Sequence, residues 1–294
     1  MTDRTDYKVV ARQQMDENEL AKVRELEAVC NGQEGLTLKL NWGMLRERAS
    51  GSGGINDFLC CGKDEKLVGF LALYGFGRSE VEVSGMVRPE FRQKGVFSLM
   101  LEKAGEECKQ RDIKSFLFIC ERRSASGSAF IKARGASFDH SEHWMERPGS
   151  MEPIPLSSPV ELREAVPGDY EMLAGLDSIC FDIPLEESRN FYMSQSFLSS
   201  EQLFVVELDG TDIGMVKLHK EDDSVFIFGF GIQPEFRGKG YGRAALARAV
   251  NQALDSRPSL VALEVDCVND TALNLYKSCG FQTVTTYDYY RLPL

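Results

Sequence analysis

Two stretches of the chain run through the same succession of apolar and polar positions. In the later one, VELREAV (160–166) alternates as a half-buried strand does. Pro167, Gly168 and Asp169 break the alternation and cap a helix whose apolar residues Leu173, Leu176, Ile179 and Cys180 are expected on one face. In the earlier one, YKVVARQ leads to Asp16 and a helix carrying Leu20, Val23, Leu26 and Cys30. A short helical stretch follows in both. Next come two β-rich runs joined by a tight turn. These are FLCC and LVGFLAL around Gly62-Lys63-Asp64, and LFVVEL and DIGMVKL around Asp209-Gly210. Asp-Gly between such runs predicts a hairpin.

A third strand, SVFIFGFGI (224–232), runs into a long helix with Leu246, Val250, Ala253 and Leu254 on its buried stripe; Pro258 ends that region. SLVALEV (259–265) is almost continuously apolar and predicts a strand covered on both faces. A last helix runs over 270–278 to Gly280, and the aromatic, β-branched FQTVTTYDYYRL predicts a closing strand. Each stretch therefore reads as α+β, a mixed sheet with helices packed on it.

The two stretches are copies. Residues 89–95 read PEFRQKG and residues 234–240 read PEFRGKG, an offset of 145 that also maps Gly69 onto Gly214, Gly135 onto Gly280 and Pro148 onto Pro293. One supersecondary plan was duplicated. Between the copies, PGSMEPIPLSSP (148–159) holds four of the ten prolines, a composition that favours an extended connector. The expected organisation is a first domain at 1–147, a linker at 148–159 and a second domain at 160–294, each domain long enough for its own core.

Charge separates the copies. Residues 1–150 carry 23 Lys+Arg and 23 Asp+Glu, and residues 151–294 carry 11 and 22, so the whole net charge of −11 lies in the second half. An acidic domain repels nucleic acid and anionic membranes and attracts cations. The chain has no apolar run of membrane-spanning length, and its polar start (MTDRTDYK) lacks a secretory core, so a cytosolic protein is expected. None of Cys30, Cys60, Cys61, Cys108, Cys120, Cys180, Cys267 and Cys279 forms a CxxC pair, which fits reduced thiols. Gly51-Ser52-Gly53-Gly54 lacks a following Gly-Lys-Ser/Thr and reads as a surface loop rather than a phosphate loop.

Candidate chemistry concentrates at Arg237-Gly238-Lys239-Gly240-Tyr241-Gly242, between a strand and a long helix. Glycines let the main chain turn tightly and approach a ligand. The helix start offers unpaired N–H groups and a positive dipole end. With Arg243 and Arg248 close in sequence, this is an anion cradle suited to a pyrophosphate.

These residues resemble the GNAT superfamily of N-acetyltransferases, whose acetyl-CoA loop follows Arg/Gln-x-x-Gly-x-Gly/Ala; Arg237, Gly240 and Gly242 match it. A second stretch of that family, Asn, Ala, Leu-Tyr and Gly-Phe, is matched by Asn269, Ala272, Leu275-Tyr276 and Gly280-Phe281. The resemblance covers residues 160–294 and implies a tandem protein with the mixed-sheet GNAT fold, using acetyl-CoA as cosubstrate and no metal. It implies main-chain donors near Ile232 for the thioester carbonyl. Main-chain groups from Arg237 through Gly238, Lys239, Gly240 and Tyr241 to Gly242 would hold the pyrophosphate, with Arg243 beside them. Tyr276 would be the general acid on the leaving sulfur, and Asn269 a contact to the pantetheine arm or a turn cap. A phenol keeps its proton at neutral pH and can serve as that acid.

The first copy departs from the pattern. Phe97 stands where Gly242 does, and Ser124, Gly127, Ile131 and Ala136 replace Asn269, Ala272, Tyr276 and Phe281. Isoleucine carries no proton to deliver, and a phenyl ring beside the cradle could obstruct it. Residues 1–147 thus read as a degenerate copy. The general base is not legible. Glu264 and Asp266 share one side of their strand and are candidates, His219 is a weaker one, and His140 and His143 face opposite ways, which argues against a metal pair. The function expected is acetyl-CoA-dependent transfer to a primary amine, a small cationic one, without nucleic-acid or membrane partners. A non-catalytic acyl-CoA-binding or sensing module and a protein or peptide N-acetyltransferase are the alternatives.

Overall fold

The computed structural model describes residues 6–48, 54–75, 79–194 and 200–294. Gly51, Ser52 and Gly53 of the glycine-rich run lie outside the described residues. The chain divides into two compact units: Met1–Ser141 with Thr285–Leu294, and Glu142–Val284.

Unit 1 runs β1 (Lys8–Arg12), α1 (Glu17–Glu34), α2 (Trp42–Glu47), β2 (Asp57–Cys61), β3 (Leu67–Tyr74), β4 (Glu80–Val87), α3 (Val96–Gln110), β5 (Ser115–Glu121), α4 (Ala125–Ala133) and the start of β6 (Ser137–Pro148). Helix α1 starts at a reciprocal cap: Asp16 accepts from the Glu19 N–H at 2.8 Å, and Glu19 accepts from the Asp16 N–H at 3.3 Å. It stops at Gly35, whose φ of 61° is the left-handed conformation glycine adopts at no steric cost. Its predicted stripe of Leu20, Val23, Leu26 and Cys30 is buried.

Unit 2 runs β7 (Val160–Glu164), α5 (Tyr170–Phe181), α6 (Leu185–Met193), β8 (Glu201–Leu208), β9 (Thr211–Glu221), β10 (Ser224–Ile232), α7 (Tyr241–Leu254), β11 (Leu260–Asp266), α8 (Asp270–Ser278) and the start of β12 (Gln282–Pro293). The predicted Asp209-Gly210 turn is present, with φ of 51° and 78° joining β8 to β9. Packing is helix on sheet on helix. On one face α7 buries Leu246, Ala249, Val250 and Ala253 against Val216, Val261 and Leu263. On the other, α5 and α6 bury Leu173, Leu176 and Tyr192 against Val205 and Met215. One predicted contact fails. Ile179 is 57% exposed, and Asp177 takes the buried position on α5.

The closing strands differ from expectation. The pattern predicts that each copy ends in its own last strand. Instead, Tyr287–Pro293 of β12 pair antiparallel with β5 inside unit 1, and Glu142–Pro148 of β6 pair with β11 inside unit 2. The sequence pattern specifies a strand and its inward face but not its partner, and two copies of one plan offer equivalent edges. The units therefore do not divide at 147 and 160. The proline-rich segment stays extended along unit 2, where the Asn251 side chain pairs with both the N–H and the carbonyl of Ile154 (2.8 and 2.9 Å).

Candidate functional site

Both units open a wedge between two parallel strands. Strand β10 pairs with β11 only from Ser224 to Ile227, and β4 with β5 only from Glu80 to Val83; beyond those residues no parallel pairing continues. At the end of β10 the register sets Ile232 opposite Gly214, and the Gln233 N–H donates to the Ile213 carbonyl at 2.9 Å. Hydrogen-bonded and non-hydrogen-bonded pairs alternate in an antiparallel ladder, so the N–H and C=O of Ile232 point away from β9, towards the wedge. Arg237 Nε takes the Ile232 carbonyl at 2.6 Å. Unit 1 repeats this: Val87 lies opposite Gly69, the Arg88 N–H donates to the Val68 carbonyl at 2.8 Å, and Arg92 Nε holds the Val87 carbonyl at 3.1 Å.

The loop after each strand is also duplicated. A single 3-10 turn at Pro234–Phe236 or Pro89–Phe91 leads to a left-handed glycine, Gly240 (φ 85°) or Gly95 (φ 82°), which caps α7 or α3 with no side-chain hydrogen bond. The first amides of both helices are thus left for a ligand, and main chain at Gly238 and Gly240 is unshielded by any Cβ. Gly238 turns at φ 73°, whereas Gln93 makes the equivalent turn at φ 60° with a side chain attached. Lys239 Nζ donates to the Glu235 carbonyl at 2.8 Å, and Tyr241 and Arg243 lie with Arg248 along a 300 Å³ cavity between the start of α7 and Ser158. Gly242 sits where a Cβ would come within 3.7 Å of Leu275.

The units diverge beyond the loops. Arg92 is neutralised by Glu34 at 2.6 Å, whereas no carboxylate pairs with Arg237 among the described residues. Phe97 does not fill the first wedge. Its ring packs edge-on against Phe130, centroids 4.8 Å apart, and a cavity of about 540 Å³ opens beside it, lined by Val87, Arg92, Gly95, Phe118, Cys120 and Ile131. In unit 2 the strand itself is altered. Lys217 pairs with Phe228 but Met215 with Gly231, so β10 carries a bulge of one extra residue, with Gly229 at φ 53°. Strand β4 keeps an unbroken ladder with β3.

Tyr276 lies on α8, 8% exposed, with its ring 6.5 Å from Phe230 of the bulged strand and 6.3 Å from Phe281. Burial pushes its phenol up to about 12, so it stays protonated at neutral pH. Asn269 caps α8, its Oδ1 accepting from the Ala272 N–H at 3.0 Å, as Ser124 Oγ caps α4 through the Gly127 N–H at 3.2 Å. The Asn269 amide nitrogen remains a donor. Asp266 is occupied in the turn before that cap: Oδ1 accepts from the Val268 N–H at 2.9 Å and its carbonyl from the Asn269 N–H at 3.0 Å. Glu264 is half-buried opposite Trp144 of β6. Tyr276 shares the core on the α7 side with Val261, Leu263 and Val265, so Glu264 and Asp266 alternate to the other face of β11. His219 Nδ1 lies 3.1 Å from Ser200 Oγ.

The sequence of the Acetyltransferase (GNAT) family matches residues 23–133 and 170–281, one match in each copy. The chain belongs to the GNAT acetyltransferase family. Both copies match, so the family is present in tandem, and the activity for which that family is named is acetyl transfer. N-acetylaspartate synthetase of Rattus norvegicus is 35% identical over 92 residues, 31% of this chain and 31% of that protein, so this GNAT chain spans about a third of the length of that relative. Mycothiol acetyltransferase of Thermobispora bispora is 28% identical over 276 residues, covering 84% of this chain and 87% of that one. The crystal structure of a GCN5-related N-acetyltransferase from Sphaerobacter thermophilus shares the fold with a TM-score of 0.76 at 20% identity, over 97% of this chain and 95% of that one. The family match does not distinguish the copies.

Among the described residues no cluster of three His, Cys, Asp or Glu is placed to hold a metal ion, and no helix is long and apolar enough to cross a membrane. All eight cysteines are free thiols. Sequence reading missed the bulge of β10 and the buried pair beneath it, Lys217 and Asp177, whose Nζ and Oδ2 are 3.4 Å apart. A trace of the bulge was visible, since Gly229 and Gly231 flank Phe230 inside a strand.

Proposed function

We propose that unit 2 transfers an acetyl group from acetyl-CoA to a small cationic primary amine, with Tyr276 as general acid. The observation that carries this reading is the buried Tyr276 phenol, its ring 6.5 Å from Phe230 on the bulged strand that ends at Ile232. Acetyl-CoA supplies the activated acyl carbon and a pyrophosphate anchor. The open amides after Gly240 fit that anchor, reinforced by Lys239, Arg243 and an Arg237 that meets no carboxylate among the described residues. The Ile232 N–H, aimed at the wedge, stabilises charge on the thioester oxygen. As the amine nitrogen bonds to the acyl carbon and the carbon–sulfur bond breaks, Tyr276 gives its proton to the sulfur. Glu264 and Asp266, side by side on one face of β11, are the candidates to take the acceptor's proton through water. The acceptor class rests on charge: residues 151–294 carry twice as many acidic as basic side chains.

The test is CoA release from acetyl-CoA with a panel of polyamines, aminoglycosides, amino acids and peptides. Release with small amines supports the reading. Release with peptides alone moves the protein to the peptide N-acetyltransferases, and no release with any amine ends the catalytic reading.

A second reading concerns unit 1. Its cavity of about 540 Å³ beside the Arg92–Gly95 cradle favours a unit that holds acyl-CoA without transferring from it, since Ile131 stands in place of the phenol. Calorimetry decides: two CoA bound per chain support this reading, and one CoA, lost when unit 2's cradle is mutated, rejects it.

A further inference from the structure

The β10 bulge is gripped from one side. Gly229 lies against the Lys217 stem: a Cβ there would come 3.0 Å from Cδ and 3.2 Å from Cε. Two residues on, a Cβ at Gly231 would meet Cys180 Cβ and Sγ at 2.8 Å and the Phe181 ring at 3.3 Å. Lys217 and the end of α5 therefore lie along the same face of the strand, and Phe230 alternates to the opposite face, where its ring is 6.5 Å from Tyr276. What joins the two contacts is the Lys217–Asp177 pair. Both side chains are below a tenth exposed, and the ammonium also lies 4.9 Å from the centre of the Tyr192 ring and 5.4 Å from that of Phe191. The pair ties β9 to α5, so the groups beside Gly229 and beside Gly231 belong to one clamped body.

A buried ion pair is poor value for stability, because desolvation offsets much of its attraction and an apolar pair of similar size often serves as well. A reason other than stability is needed, and the comparison within the molecule supplies one. Unit 1 has Ala72 at the position of Lys217, no bulge, and isoleucine in place of the phenol. The clamp, the bulge and the phenol occur together in one unit and are absent together from the other.

We propose that Lys217, held by Asp177, is a positioning residue for acyl transfer in unit 2: it fixes the bulge so that Phe230 lies beside Tyr276 and the Ile232 N–H faces the wedge. This rests on the proposed function of unit 2 for its kinetic consequence but not for its structural one. The experiment compares wild type with Lys217→Met/Asp177→Leu, which removes both charges and keeps the packing, and with Lys217→Arg. Two quantities are read: hydrogen exchange of the amides at 228–232, and kcat beside the dissociation constant for acetyl-CoA.

In the double variant, exchange at 228–232 rises about tenfold while α7 and β11 keep wild-type rates and the melting temperature holds. Its kcat falls about tenfold at unchanged acetyl-CoA affinity, and Lys217→Arg recovers most of both. Wild-type exchange in the double variant overturns the proposal, as does faster exchange throughout unit 2, which would make the pair an ordinary structural contact. If wild type itself turns over no amine, the catalytic reading falls and the exchange data alone decide whether the clamp sets the bulge. Should Lys217→Arg fail to fold, Asp177→Asn serves as the second variant, and it is expected to raise exchange at 228–232 as the double variant does.

Discussion

Unit 1 and unit 2 build the same cradle from the same backbone, yet they differ in nearly every group that could use it. Each has a Pro-Glu-Phe 3-10 turn, an arginine Nε on the last strand carbonyl and a left-handed glycine capping a long helix. Around this shared part, unit 1 has an unbroken strand, an arginine paired with Glu34, a wide cavity and Ile131. Unit 2 has a bulged strand, an Arg237 with no carboxylate partner among the described residues, and a buried phenol. Anion binding needs only main chain and is robust to sequence drift. Proton delivery needs one side chain at one place, and a single substitution ends it.

The largest test of that contrast is Tyr276→Phe. Turnover is expected to fall about 10²- to 10⁴-fold, the span of general acid catalysis, while acetyl-CoA affinity measured by calorimetry is unchanged. With the phenol held up to about 12, wild-type turnover should show no loss through the pH 10 region where an ordinary tyrosine ionises. Equal turnover by the variant would move the chemistry out of unit 2 and reverse the assignment of the copies.

Next in size is the exchanged strand. Tyr289 of β12 is 1% exposed within unit 1, where His140 stacks on it at 4.2 Å and its hydroxyl accepts from Lys39 at 2.5 Å. Tyr289→Ala should cost about 3–5 kcal/mol, the range for deleting a buried aromatic. The protein carries its own reporters, Trp42 in unit 1 and Trp144 in unit 2. In a Trp144→Phe background the Trp42 transition should shift to lower denaturant. In a Trp42→Phe background the Trp144 transition should hold its position. The opposite pattern would mean that β12 serves the unit it follows in sequence.

A smaller effect tests the charge beside the first cradle. Glu34→Gln frees Arg92, and CoA binding to unit 1 should tighten about two- to fivefold, as expected for a partly exposed ion pair. Weaker or unchanged binding would show that Glu34 does not oppose the pyrophosphate.

The smallest effect is on acid stability. Burial alone would raise the Glu80 carboxyl, but hydrogen bonds from Arg291 and Ser115 outweigh it and hold Glu80 below the usual carboxylate range. A lowered pKa stabilises the fold above the unfolded value and loses that contribution as pH falls through the folded one. Unit 1 should therefore weaken as pH drops below the ordinary carboxylate range, and Arg291→Met should flatten that decline in a pH series of Trp42 unfolding curves.

Much of this was legible in the amino-acid pattern. The repeat, the Asp209-Gly210 hairpin, the capping of α1 by Asp16 and the cradle at Arg237–Gly242 all follow from local chemistry, in which a few adjacent residues determine the outcome. What was not legible depends on distant partners. Nothing in the local pattern marks Asp177 as buried before Lys217 is brought to it, and Ile179 reads as core until Asp177 takes that position. The extra residue in β10 appears only when the ladder with β9 is counted. Strand exchange was invisible for a related reason: β6 and β12 carry the same alternation, so either could close either sheet.

That exchange bears on how the protein comes into being. On the ribosome, residues 1–141 emerge first, but their sheet lacks a border until 285–294 have followed. The earlier copy must wait, with β5 uncovered, through the synthesis of the entire later copy. The first half to be made is thus the last to be finished, and the interval exposes an apolar strand edge that a chaperone, or a neighbouring nascent chain, is free to meet.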